Sequence, residues 1–132
     1  MTDRNIDVMD LIVGKMIEGD KLSKALHGVY NKRNVCIPYS ESDLEISIMK
    51  LGMSGRTTNT LLRAKIRTIG DVVEFCEEQK ITKITNFGRN SGIELFEAIL
   101  DYCWEHMNQD KRVSFLIDTV ERNSGNIRED IA

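Results

Sequence analysis

The sequence has 132 residues, 41% of them hydrophobic and 30% charged, with a formal net charge of -3 at pH 7. That is the mix of one ordinary globular domain with at most a helical appendage, and a single proline with 6% aromatic residues favours helices over a turn-rich β fold. Cys36, Cys76 and Cys103 are too few and too widely spaced for a disulfide framework or a zinc site with His27 and His106, no apolar run approaches membrane-spanning length, and the acidic first ten residues do not read as a secretory signal. The expectation is a reduced, cytoplasmic protein without metal, cofactor or membrane partner, with Cys76 and Cys103 in its core.

Residues 5 to 18 place Ile6, Met9, Ile12 or Val13, and Met16 or Ile17 near helical spacing, with Asp3 or Asn5 as cap and Gly19-Asp20 as stop. Residues 21 to 32 carry Leu22, Ala25, Leu26, Val29 and Tyr30 on one stripe, which predicts a second amphipathic helix. So short a pair buries too little surface to stand alone. Residues 1–40 are therefore expected to be a docking or dimerisation extension, with a homodimer through residues 5–32 as one form of it. Pro38 breaks the pattern and biases Ile37 to an extended conformation, so residues 34 to 40 read as a short strand or a tether.

Residues 44 to 53 are apolar without clean periodicity and predict an irregular, partly helical lead-in. Ser54 then caps a helix reaching Ile66, with Leu61, Leu62, Ala64 and Ile66 as its buried positions. Thr57, Thr58, Asn59 and Thr60 are weak helix formers, and so polar a start suggests a surface in use. Thr68 caps a helix over 69–75, residues 81–84 make a short turn, and residues 89–106 make a long helix. Its stripe of Ile93, Leu95, Phe96, Ile99, Leu100 and Cys103 is core, with Trp104 at the edge, and Glu94, Glu97, Asp101 and Glu105 read as a solvated acidic face. A last helix at 108–122 runs through Val113, Leu116, Ile117 and Val120, and residues 123–132 are expected to fray.

One pattern is written twice: Lys65-Ile66-Arg67-Thr68-Ile69-Gly70 recurs eighteen positions on as Lys83-Ile84-Thr85-Asn86-Phe87-Gly88. This is a helix-hairpin-helix signature, in which the apolar pair plugs a turn into the core while the glycine permits a tight bend and leaves the next helix's first amides bare. Bare amides at the positive end of a helix dipole suit an anion such as phosphate; turns that merely connect helices in a protein-interaction module carry the same pattern. The charge distribution follows the repeat. Residues 50 to 92 hold eight bases against four acids, 8 − 4 = +4, whereas residues 93 to 110 hold five acids and no base. The predicted class is all-α: a compact helix-hairpin-helix domain of four to five short helices at 41–107, preceded by the N-terminal helical pair.

Residues 51 to 100 resemble the C-terminal domain of the bacterial RNA polymerase α subunit. The resemblance lies in Leu51, Met53, Ser54, Arg56, Asn59 and Leu61, then Ile66 and Thr68 to Val73, then Ile84, Asn86, Gly88, Ser91, Glu94 and Leu95, in order and with nearly ungapped spacing. It implies a non-enzymatic module that binds A·T-rich duplex DNA. Arg56 and Asn59, with Thr60 beside them, would address the minor groove, and Gly88, Arg89, Asn90 and Ser91 would address phosphate. RNA polymerase or a transcription factor is the further partner it implies. Where the family commonly has two lysines after the glycine, Arg89 is followed here by Asn90, and Gly52 stands where an acid is often found. The alternative is a protein-protein module that keeps the fold without DNA, which the acidic last helix and the added N-terminal helices would serve. Neither histidine has a nucleophile or carboxylate at a spacing that makes a catalytic set.

Overall fold

The computed structural model describes residues 1–31 and 35–131. Among them the protein forms seven α-helices: α1 (Asp3–Ile17), α2 (Leu22–His27), α3 (Glu41–Leu44), α4 (Gly55–Arg63), α5 (Ile69–Glu78), α6 (Arg89–Glu105) and α7 (Gln109–Arg122). Extended pairing among the described residues is limited to two isolated antiparallel bridges, Tyr30 with Ile127 and Ser47 with Thr68. The protein divides into a central unit, Tyr39–Cys103, and a terminal unit made of Met1–Pro38 and Trp104–Ala132.

In the terminal unit, α1 packs on α2 and α7. Thr2 caps α1 by accepting from the Asn5 amide, one residue earlier than the caps expected from the sequence. The buried stripe is also rotated: Asn5, Val8 and Ile12 face inward, while Ile6 and Ile17 are exposed. Helix α2 stops at His27, short of the predicted length, because the following residues pair instead with the C-terminal segment. Arg128 N donates to Val29 O at 2.9 Å, and Asn31 N to Asn126 O at 3.2 Å. The predicted helix continues into residues 32–34, which lie outside the described residues.

Asn123 shows why the last residues are built into this unit rather than frayed. Its side chain is 1% exposed. It accepts from Cys36 N at 2.8 Å and donates to Cys36 O at 2.9 Å and Thr119 O at 2.7 Å. Ile127 is buried as well. Helix α7 buries Phe115, Leu116, Thr119 and Val120, and Val113, expected inside, is exposed. The Arg112 guanidinium lies 4.7 Å from the centre of the Trp104 ring and donates to the Trp104 carbonyl, tying the start of α7 to the preceding residues.

In the central unit, Ser40 and Asp43 form a reciprocal capping box that starts α3. The lead-in then pairs with the first repeat: Ile48 N donates to Arg67 O and Ile69 N to Ile46 O, both at 3.0 Å. Leu61, Ile66, Ile69, Val72, Ile84, Phe87, Leu95, Ile99 and Leu100 form the buried apolar set. Helix α4 is shorter than expected and ends at Arg63; Lys65 at φ 64° turns the backbone, which leaves Ala64 exposed. Cys103 is buried, but Cys76, expected in the core, is on the outward side of α5.

Candidate functional site

The starts of α4 and α6 line one open concavity of about 580 Å³, walled by Ser54, Arg56, Thr57, Asn86, Gly88, Arg89, Asn90, Ser91 and Glu94. Each helix start is built differently. Ser54 is the N-cap of α4, its hydroxyl accepting from Thr57 N at 3.3 Å. Gly88 occupies the equivalent place for α6, since Gly92 N donates to Gly88 O at 3.1 Å. A glycine has no side chain to cap with, and no acid stands in the first turn of α6.

The two copies of the repeat therefore part company. At the first, Thr68 and Asp71 form a capping box: Asp71 N donates to the Thr68 hydroxyl, and the Asp71 carboxylate accepts from Thr68 N and, at 2.8 Å, from Arg67 N. Those amides are already satisfied and have nothing to offer an anion, contrary to the symmetrical expectation. Gly70 sits inside α5 for a steric reason, because a Cβ there would meet the Leu44 carbonyl oxygen at 2.9 Å. At the second copy, a Cβ on Gly88 would meet nothing within 4 Å, and its backbone needs no glycine. Packing explains Gly70; only an approach from outside uses the openness at Gly88.

Glu94, expected on a solvated acidic face, lies elsewhere. Its carboxylate spans from α6 to the start of α4, accepting from Ser54 N at 2.9 Å, from the Ser54 hydroxyl at 3.1 Å and, in a short bond, from the Thr57 hydroxyl. The Thr57 hydroxyl bond does most to hold the Glu94 carboxyl below the usual range; burial opposes this, and the Ser54 amide and hydroxyl add to it. The carboxylate is thus ionised at neutral pH, with its lone pairs directed into the α4 cap. Ser91 joins the same cluster, 3.5 Å from the Thr57 hydroxyl.

Of the residues named from the sequence, Arg56, Gly88, Arg89 and Asn90 are exposed and Ser91 is half-buried, all on this concavity. Asn59 is exposed on α4, three residues beyond Arg56, outside the concavity's lining. Thr60 is inside: it is 7% exposed and its hydroxyl donates to the Arg56 carbonyl at 2.8 Å. Thr57 is also buried. The polar start of α4 is thus in part an internal hydrogen-bonded seam, which is how threonines enter a core without an unpaired hydroxyl. Sequence reading missed Ser54 as more than a cap, together with Thr57, Asn86 and Glu94. A local signal existed only for Asn86, an asparagine two residues before a glycine, which adopts φ 65° in the turn. Among the described residues no group of three or more His, Cys, Asp or Glu side chains could hold a metal ion, and no helix is long and apolar enough to cross a membrane.

Residues 38–101 match the family of C-terminal domains of the bacterial RNA polymerase alpha subunit. Among curated proteins, this protein is 34% identical over 87 residues to the DNA-directed RNA polymerase subunit alpha of Thalassiosira pseudonana, covering 64% of its own length and 26% of that relative's. It is 37% identical over 67 residues to the same subunit of Gloeobacter violaceus, covering 51% and 21%, and 43% identical over 54 residues to that of Trieres chinensis, covering 41% and 17%. The match therefore spans about a quarter or less of the length of these relatives. No solved structure matches it.

Proposed function

We propose, from the premise that residues 38–101 form a domain of the RNA polymerase α C-terminal type, that this domain binds duplex DNA without catalysis, setting Arg56 and Asn59 at the minor groove and the start of α6 against phosphate. The carrying observation is the concavity in which an open helix start and two arginines, Arg56 and Arg89, face the same space. A narrow A·T-rich minor groove concentrates negative potential that draws a guanidinium, and its N3 and O2 acceptors take hydrogen bonds from arginine or from an asparagine amide. Asn59, one helical turn beyond Arg56, is placed to follow it along the groove.

Phosphate would sit over Gly88, accepting from the first amides of α6 with Arg89 beside it. Asn90 adds a neutral donor, so fewer counterions are released than with two lysines in that turn and the salt slope is shallow. Glu94 supports this reading despite its charge. By clasping Ser54 and Thr57 it joins α6 to α4, so that the arginine and the phosphate site are held as one surface. A cytoplasmic transcription regulator or polymerase accessory protein, with RNA polymerase or a transcription factor as partner, is the role this binding would serve.

Fluorescence anisotropy with A·T-rich and G·C-rich duplexes at two salt concentrations tests the proposal. The expected result is salt-dependent binding that prefers A·T-rich DNA and falls at least tenfold in Arg56→Ala, a loss of about 1.4 kcal/mol. Absence of binding even at low salt would overturn it and leave the domain as a protein-docking scaffold.

A further inference from the structure

We infer that two copies of this protein associate through the outer face of α1, lying antiparallel. Helix α1 carries two apolar stripes. One, through Val8 and Ile12, is spent inside the terminal unit. The other runs through Ile6, Met9, Val13 and Ile17 at helical spacing and contains no charge. Ile17 is 81% exposed and Ile6 43%, with Met9 and Val13 half-buried between them. A continuous stripe of this kind marks a contact surface, whereas isolated exposed apolar residues do not.

Helix α2 offers no such face, because Leu22, Ser23, Ala25 and Leu26 are all buried. The association expected of residues 5–32 thus narrows to α1.

The spacing and the charges say what covers the stripe. Ile6 and Ile17 lie equally far from the midpoint between Leu11 and Ile12. A two-fold axis there lays each Ile6 on Ile17 of the other copy and each Met9 beside the other's Val13, which is the self-complementarity an isologous contact requires. Residues 1 to 10 hold Arg4 against Asp3, Asp7 and Asp10, 1 − 3 = −2, while residues 15 to 24 hold Lys15, Lys21 and Lys24 against Glu18 and Asp20, 3 − 2 = +1. Antiparallel association sets the acidic half over the basic end; parallel association sets acid over acid. The acidic half also disfavours nucleic acid or an anionic membrane as the occupant.

One pair of helices about 22 Å long falls short of the roughly 1,200–2,000 Å² typical of stable complexes. The dimer is therefore weak and concentration-dependent. Joined copies would nonetheless gain avidity wherever both central units find ligand, although the association itself does not depend on the DNA reading.

Sedimentation equilibrium of the full-length protein without DNA, from low to high micromolar, is the test. A monomer–dimer equilibrium is expected, with Ile17→Asp monomeric throughout and its far-UV circular dichroism unchanged, since that side chain lies in solvent. For orientation, two variants, Ile6→Cys and Ile17→Cys, each with Cys36→Ser and Cys76→Ser, are mixed and oxidised; disulfides joining position 6 to position 17 are expected. A wild-type protein that stays monomeric, an Ile17→Asp variant that dimerises as well as wild type, or crosslinks mainly between two copies of position 6 would each overturn the inference.

Discussion

The central and terminal units each bury an apolar core but leave different surfaces to solvent. Among the described residues of the central unit, Met49 is the one large apolar side chain that is exposed; in the terminal unit Met1, Ile6, Leu11, Ile17, Val113 and Ile131 are. The central unit turns outward two arginines and an open helix start, and its buried polar seam is short-range capping plus the Glu94 clasp. The terminal unit turns outward an apolar stripe and closes itself through Asn123. Helices of similar length and amphipathicity thus serve opposite surfaces according to which stripe the rest of the unit covers.

The largest effect should come from breaking the terminal unit at its polar latch. Asn123→Ala removes three hydrogen bonds from a fully buried site and strands both polar groups of Cys36, so a loss on the order of 3 kcal/mol is expected in denaturant unfolding, with faster hydrogen exchange at the Cys36 amide. A smaller, sharper contrast lies between the two repeat glycines. Gly70→Ala presses a methyl on the Leu44 carbonyl and should cost about 1–3 kcal/mol. Gly88→Asp should leave stability unchanged or raise it by about 1 kcal/mol by capping α6, yet abolish DNA binding measured by anisotropy. If both substitutions destabilise equally, the division between a packing glycine and an approach glycine is wrong.

The two units should also fail at opposite ends of the pH scale. The Glu94 carboxyl titrates below the ordinary value of about 4.3 in the folded state. Its stabilisation is complete above that value and is lost as pH falls through the lower folded one. Glu94→Gln should flatten that part of the acid slope in thermal melts followed across roughly pH 3 to 5.

Tyr30 behaves in the reverse sense. Its phenol is pushed up to about 12 by burial, so its stabilisation is complete below about pH 10 and is lost as pH rises toward the folded value. The Tyr30 hydroxyl is buried without a hydrogen-bond partner. Tyr30→Phe should therefore be the mildest change, close to neutral at about pH 7, and it should remove the alkaline slope seen in melts at roughly pH 9 to 11.

Much of this architecture is legible in local pattern. The stops at Gly19 and Pro38, the caps at Ser54 and Thr68, the doubled turn, and the placement of Arg56 near residues 88 to 91 all follow from spacing within a helical turn or from the repeat. What local pattern could not reveal is equally specific. Either of two stripes on α1 satisfied helical periodicity, and choosing Asn5, Val8 and Ile12 over Ile6, Met9 and Val13 required knowing what α2 and α7 present. Thr57 and Thr60 look exposed to any propensity argument, and their burial depends on acceptors supplied by Glu94 and the Arg56 carbonyl.

By itself, then, the sequence determined that the protein is a string of helices, where most of them start and stop, and which short segments carry the open helix start and its arginines, because those properties are set by residues a few positions apart. Tertiary structure alone decided that the repeats diverge in use, that Glu94 clasps Ser54 from 40 positions away, and that Asn123 latches Cys36 from 87. Hydrogen bonds and stripe burial of that kind depend on which surfaces meet after folding, and no periodicity along the sequence encodes the meeting.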